Sequence, residues 1–208
     1  MKNDITFKEI NIDDPEFNEA IEIYNNSFPD REKRPLNDLK NNIKEDEKLF
    51  IGKYNDSIIM FSMIWEIENT DYLFLDYIAV KKEYRNKKIG TVFLKNIFNI
   101  FKNYNSIIFE IENPEEGENK GQRIRRINFY RKLGAQELTG FKYFLPPRNG
   151  KSERMLLMIL SGNIDITVNG KEIENILSLI YKHIYHRDED DITLKNIVNG
   201  IPEKIYLK

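Results

Sequence analysis

The stretch from Tyr72 to Ile111 constrains the fold more than any other part of the chain. Leu73 to Val80 is a nearly continuous apolar run of strand length, which reads as a buried strand. Lys81 to Lys88 is a basic turn. From Ile89-Gly90 to Tyr104 the residues Ile89, Phe93, Ile97, Phe101 and Tyr104 recur on one stripe, with Leu94, Phe98 and Ile100 beside it, as in a helix packed on a sheet. Ile107 to Ile111 is a second short apolar strand. Strand, helix and strand in this order make a βαβ crossover with parallel strands. The turn between them has a chemical consequence. Backbone N–H groups at the start of a helix, the helix dipole and neighbouring lysines all favour an anion there, which points to a compound carrying phosphates.

The flanking segments extend the same sheet. Ile5 to Ile10 alternates as a strand. A helix capped at Asp13 or Asp14 follows, with Phe17, Ala20, Ile21, Ile23 and Tyr24 on its apolar face. Asn26 to Asp30 breaks it, and a second helix starts after Pro35. Leu49 to Tyr54 and Ile58 to Ile67 form a hairpin around Asn55-Asp56. Beyond the crossover, Pro114 to Gln122 is a polar loop, and Ile124 to Leu133 is a helix stopped by Gly134. Gln136 to Leu145 and Met155 to Leu160 read as a final antiparallel pair. Residues 1–162 therefore form one α/β domain with a mixed sheet. Residues 163–208 are an extension: Lys171 to His186 is a helix with Ile173, Ile176, Leu177, Ile180 and Ile184 on one face, and residues 187–208 are polar and weakly patterned. The helix's apolar face would pack on the domain or on a second copy of the chain.

Bulk properties narrow the chemistry. A net charge of -2 over 208 residues makes no case for nucleic acid. The absence of cysteine removes disulfides, thiolate metal sites and cysteine nucleophiles. No metal-ligand spacing is evident among His183, His186 and the scattered acids. No apolar run reaches the length of a membrane span, and Met1 to Asp4 opens no signal peptide, so a cytoplasmic location is expected.

Three features together resemble the GNAT superfamily of N-acetyltransferases, over residues 1–162. Arg85 and Gly90 fit the family's Arg/Gln-x-x-Gly-x-Gly/Ala turn between strand and helix, with Lys88 where glycine is usual. Phe129-Tyr130-Arg131-Lys132-Leu133-Gly134 matches its Phe-Tyr-x-x-x-Gly. The order of elements is the third. The resemblance implies a mostly antiparallel mixed sheet with a splayed parallel central pair, helices on both faces, and acetyl-coenzyme A as co-substrate. By the same resemblance the N–H groups of Asn86, Lys87, Lys88, Ile89, Gly90 and Thr91, with Arg85, would cradle the pyrophosphate. The backbone of Ile78, Ala79 and Val80 would meet the pantetheine arm. Arg123, Arg125 and Arg126 form a basic cluster where the family often has Asn and Ala, and there Arg126 would either meet the coenzyme's phosphates or lie on a solvated charged face.

Acetyl transfer to an amine needs a neutral amine, a stabilised oxyanion and a protonated leaving thiolate. Tyr130 matches the family's thiolate-protonating tyrosine. Period 2 along Ile107 to Glu112 puts Ile108, Glu110 and Glu112 on one face, an expensive place for two carboxylates unless it opens on a cleft. Glu110 is the first choice for a base, directly or through water, and Asp76, in the middle of the neighbouring strand, is the other unusual acid. Phe28 and Glu32 in the loop between the first helices, with Glu112 and Tyr143, would line the acceptor site. The acceptor is expected to be a small-molecule or peptide amine. The competing expectation is a domain that binds acyl-coenzyme A without turning it over, as a sensor or interaction module.

Overall fold

A computed structural model describes residues 5–30, 32–147, 150–162 and 167–208. The expected boundary at Asn163 and the loop residue Arg31 lie outside the described residues. The elements are β1 (Ile5–Ile10), α1 (Phe17–Ser27), α2 (Leu36–Glu45), β2 (Lys48–Tyr54), β3 (Ser57–Glu66), β4 (Tyr72–Val80), α3 (Ile89–Ile100), β5 (Ser106–Glu112), α4 (Lys120–Arg131), β6 (Gln136–Glu137), β7 (Tyr143–Phe144), β8 (Arg154–Ser161), β9 (Thr167–Asn169), α5 (Gly170–Tyr185), α6 (Ile192–Val198) and β10 (Lys204–Tyr206).

The chain falls into two compact units, and β4 runs through both. The first holds Met1–Glu66 and Leu75–Tyr104. Its strands are ordered β1-β2-β3-β4, with antiparallel pairing of β1 to β2 and of β2 to β3. Asn55 and Asp56 both take positive φ (47° and 60°), the pair that a two-residue hairpin turn requires to match the strands' twist. On one face, Phe17, Ala20, Ile21 and Tyr24 of α1 and Leu39 of α2 close on Ile51, Phe61 and Tyr77. On the other, Phe93 of α3 meets Phe7 and Phe50 at ring-centroid distances of 5.1 and 5.8 Å.

The second unit holds Ile67–Phe74 and Asn105–Lys208. Here β4 and β5 pair in parallel through Tyr72↔Ser106, Leu73↔Ile107 and Phe74↔Ile108, as the crossover demands. The antiparallel strand β8 lies along the whole of β5 and carries β6 and β7 on its other edge. Met155 of β8 pairs with Glu112 on one side and Tyr143 on the other.

Three segments differ from the periodicity reading. The helix read from Ile124 begins at Lys120, because a helix's first turn can be polar where the body behind it is packed. Gln136 to Leu145 is two short strands, not one, separated where Gly140 takes φ 99°. The polar tail after His186 is ordered into α6 and β10. Asp191 caps α6 by accepting from the Thr193 and Leu194 N–H groups. Strand β10 pairs with β9, and Leu207 bridges to Leu138. The tail's apolar residues are scattered without a period, but Leu194, Ile197 and Ile205 are all buried. The apolar stripe of α5 is likewise covered within the chain, with Ile173, Ile176, Leu177, Ile180 and Ile184 fully buried.

Candidate functional site

The basic turn belongs to the first unit. After β4, Lys82–Tyr84 make a single 3-10 turn, and the Lys81 N–H is held by the Ile59 carbonyl at 2.9 Å. Asn86 and Lys88 both take left-handed conformations, with φ 63° and 62°. Lys88 is the N-cap of α3, and its carbonyl accepts the first intrahelical bond from Val92 N–H at 2.9 Å. The N–H groups of the residues before Val92 have no acceptor within the helix. Lysine at this φ costs on the order of 1 kcal/mol, where glycine would cost nothing. Arg85 folds back so that its Nε donates to the Val80 carbonyl at 3.0 Å, tying the turn to the end of β4. The Lys87 ammonium lies 4.6 Å from the Tyr84 ring centroid. Ile78 and Val80 are half-buried and Ala79 is buried.

The loop between α1 and α2 is fixed by a buried charge network. Arg34 Nη2 lies 3.2 Å from Glu47 Oε2 and also pairs with Asp76 Oδ2. The three side chains are 4%, 0% and 7% exposed. One guanidinium facing two carboxylates leaves excess negative charge out of water, which is costly. Burial, with the Asp76 charge adding to it and Arg34 opposing, raises the Glu47 carboxyl above its usual range. The loop backbone is pinned as well. Arg34 N–H donates to the Tyr24 hydroxyl at 2.7 Å, and the Tyr77 hydroxyl donates to the Glu32 carbonyl at 2.9 Å. Phe28 packs its ring on Tyr24 and Tyr77, at 5.5 and 4.9 Å. Asp76, an acid inside an apolar strand, was conspicuous in the sequence. Its partners Arg34 and Glu47 were not, because each stands far from it in the chain.

In the second unit, Tyr130 sits in the penultimate position of α4 and is 6% exposed. Its ring packs on Phe109 of β5 at 4.4 Å and on Phe129 at 4.9 Å. Burial pushes the phenol up to about 12, against the opposing influence of the Arg126 charge. The helix ends as expected: Ala135 N–H returns to the Tyr130 carbonyl at 3.1 Å, while Gly134 takes φ 97°.

The two glutamates of β5 have different partners. Glu112 is buried and meets two arginines of α4, Arg123 Nη2 at 3.2 Å and Arg126 Nη1 at 2.8 Å. Arg123 is itself 3% exposed and donates to the carbonyls of Asn113 and Glu116, so it also closes the loop that follows β5. The basic cluster on α4 thus has an acidic partner on the neighbouring strand. Glu110 is half-buried and accepts from two phenols, Tyr143 on Oε1 and Tyr185 on Oε2. Burial first, then the nearby Glu110 charge, hold the Tyr143 hydroxyl well above its ordinary value. The neighbour of Tyr143, Phe144, lines a cleft of about 440 Å³ with Lys142, Ser152 and the α6 residues Thr193, Asn196 and Ile197. Nothing in the sequence paired Tyr185 with Glu110: period 2 placed the glutamate on a face, but the phenol arrives from residues far along the chain.

The mixed sheet with one parallel pair and a crossover helix is the architecture expected of an α/β acyltransferase of the acetyl-transferring class. A sequence model of the Acetyltransferase (GNAT) family matches residues 17–135, and the chain belongs to that family. No curated protein matches the chain in sequence. Among solved structures, a protein from Bacteroides thetaiotaomicron described as a GNAT-family acetyltransferase is similar at 26% identity and a TM-score of 0.71, over 88% of this chain and 99% of its own. The ribosomal-protein-S18-alanine N-acetyltransferase of Escherichia coli shares the fold at 18% identity and a TM-score of 0.57, over 77% and 96% of the two chains. So does a GNAT acetyltransferase from Elizabethkingia anophelis with acetyl-CoA bound, at 19% identity and 0.53, over 76% and 99%. Among the described residues, no helix is long and apolar enough to cross a membrane.

Proposed function

We propose that this protein transfers the acetyl group of acetyl-coenzyme A to a primary amine of a small molecule or peptide, by direct attack in a ternary complex. The observation that carries the reading is the left-handed turn at Asn86 and Lys88, where the motif resemblance puts the coenzyme's pyrophosphate. A phosphate cradle needs backbone donors outside the helical ladder with cationic side chains beside them, and this turn meets both requirements. It does so although Lys88 replaces the usual glycine. Acetyl-CoA supplies the activated thioester. The amine nitrogen bonds to the carbonyl carbon, the carbon–sulfur bond breaks, and Tyr130 gives its phenolic proton to the departing sulfur. The amine's surplus proton passes to Glu110, directly or through water; Glu110 then releases that proton to solvent, and solvent returns one to the Tyr130 phenolate. Glu110 suits this role because it is half-buried and the partners that hold it are neutral phenols rather than cations. Asp76 and Glu112 are less suited, being engaged with Arg34 and with the α4 arginines.

The test is release of coenzyme A thiol from acetyl-CoA over a panel of aliphatic amines, diamines, amino-acid amides and peptides with free N-termini. Turnover with one amine class, with the acetylated amine confirmed by mass, is the expected result. Coenzyme binding with no turnover on any amine would instead define an acyl-CoA-binding sensor.

A further inference from the structure

The helix α5 is fixed at both ends. At its start, Asn169 caps the Lys171 N–H at 2.8 Å, and the Gly170 N–H donates to the Glu203 carbonyl at 2.8 Å. No side chain fits at Gly170, since a Cβ there would stand 2.0 Å from the Pro202 carbonyl oxygen. Along its length an isoleucine and leucine stripe is fully buried. Near its end the Tyr181 hydroxyl donates to the Phe144 carbonyl of β7. One turn later comes Tyr185, whose ring stands 5.7 Å from that of Tyr181. A side chain delivered by an element so held has little freedom of position. What it meets is Glu110.

We propose that Tyr185 is a positioning residue for acetyl transfer: with Tyr143 it fixes the Glu110 carboxylate, which makes the C-terminal helix a working part of the transferase. This rests on the reading of Glu110 as the acceptor-side carboxylate. A glutamate on a strand can rotate about its side-chain torsions, and a base that wanders by an ångström loses much of its effect. Phenols on Oε1 and Oε2 from two different elements remove that freedom. Burial, then the charge of Glu110, raise the Tyr143 hydroxyl well above its ordinary value, so it remains a donor. The arrangement also accounts for the order in the C-terminal tail. Pro202 and Glu203, just before β10, seat Gly170, α6 packs beside α5, and the helix in turn presents Tyr185.

The test is a double-mutant cycle of Tyr185→Phe and Glu110→Gln on the full chain, read with the best amine of the panel. Tyr185→Phe is expected to lower kcat/KM for the amine by about tenfold or more, the usual worth of a hydrogen bond to a charged group, with KM for acetyl-CoA unchanged. In the Glu110→Gln background the same substitution should change kcat/KM by less than about twofold, since a residue acting through another has nothing left to act on. Thermal melting of the same proteins gives a second reading of the coupling that needs no activity. Full, additive losses in both backgrounds overturn the inference. An active wild type with an unimpaired Tyr185→Phe defeats it alone, whereas a wild type inert on every amine defeats the proposed function and this inference with it.

Discussion

Removing the Tyr130 hydroxyl should separate chemistry from binding. The ring is held by Phe109 and Phe129, and Tyr130→Phe keeps those contacts. What it loses is a proton donor that burial has pushed up to about 12. An ordinary thiol titrates near ~8.5, so the phenol is the weaker acid by about 3.5 pH units, or roughly 5 kcal/mol between separated partners. A turnover of about 10 per second has a barrier of about 16 kcal/mol, so this cost is tolerable within it. It implies that the proton moves as the carbon–sulfur bond breaks, when the sulfur is most basic. Loss of such a general acid lowers kcat by about 100- to 10,000-fold. Affinity for acetyl-CoA should stay within about twofold, because the lost interaction is made only in the transition state. The pH profile is a second mark. An ordinary tyrosine near ~10 would begin to fail as an acid above that pH. Tyr130 stays protonated to about 12, so the wild-type rate should hold level through pH 10 without an alkaline limb from this group. Thiol release read across pH, with calorimetry for acetyl-CoA, decides the matter. Turnover within a few-fold of wild type, or an equal loss of coenzyme affinity, would refute the acid role.

Other substitutions test other parts of the structure. Lys88→Gly relieves a left-handed lysine, for a net gain of up to about 1 kcal/mol once glycine's greater chain entropy is deducted, yet it removes a charge from the turn. A higher melting temperature with weaker acetyl-CoA binding is expected, and undiminished affinity would separate Lys88 from the phosphates. Glu47 has its folded value raised above the unfolded one by burial, so its contribution to stability is fully present below ~4.3 and is lost as pH rises through the folded value. Wild-type melting temperature should therefore fall more steeply from acid to mildly alkaline pH than that of Glu47→Gln, and parallel curves would contradict the network. Gly170→Ala forces a methyl group against the Pro202 carbonyl and should cost about 1–3 kcal/mol, or several degrees of melting temperature for a chain of this size. Unchanged melting would mean that α5 and β10 are not seated on one another as described.

Much of the architecture is written in local pattern. The apolar run of β4, the helical stripe of α3 and the alternation of β1 each follow from spacing within a few residues, and so do the hairpin at Asn55-Asp56 and the stop at Gly134. The basic turn before α3 and the Phe129-Tyr130 pair at the end of α4 are legible as local pattern for the same reason, since motif and element coincide. Polar partnerships were not. The sequence exposed Asp76, Glu110 and Glu112 as carboxylates in apolar strands, which require compensation somewhere, but period and spacing carry no record of where. Folding brings Arg34 and Glu47 to Asp76, two α4 arginines to Glu112, and Tyr143 with Tyr185 to Glu110. The tail after His186 read as polar because α6 and β10 each bury only one or two side chains, too few to make a period. A sequence of this kind thus determines its elements and the acids that demand partners, because both are local properties. Which guanidinium or phenol meets each acid is decided only when distant segments pack, and with it what those carboxylates are able to do.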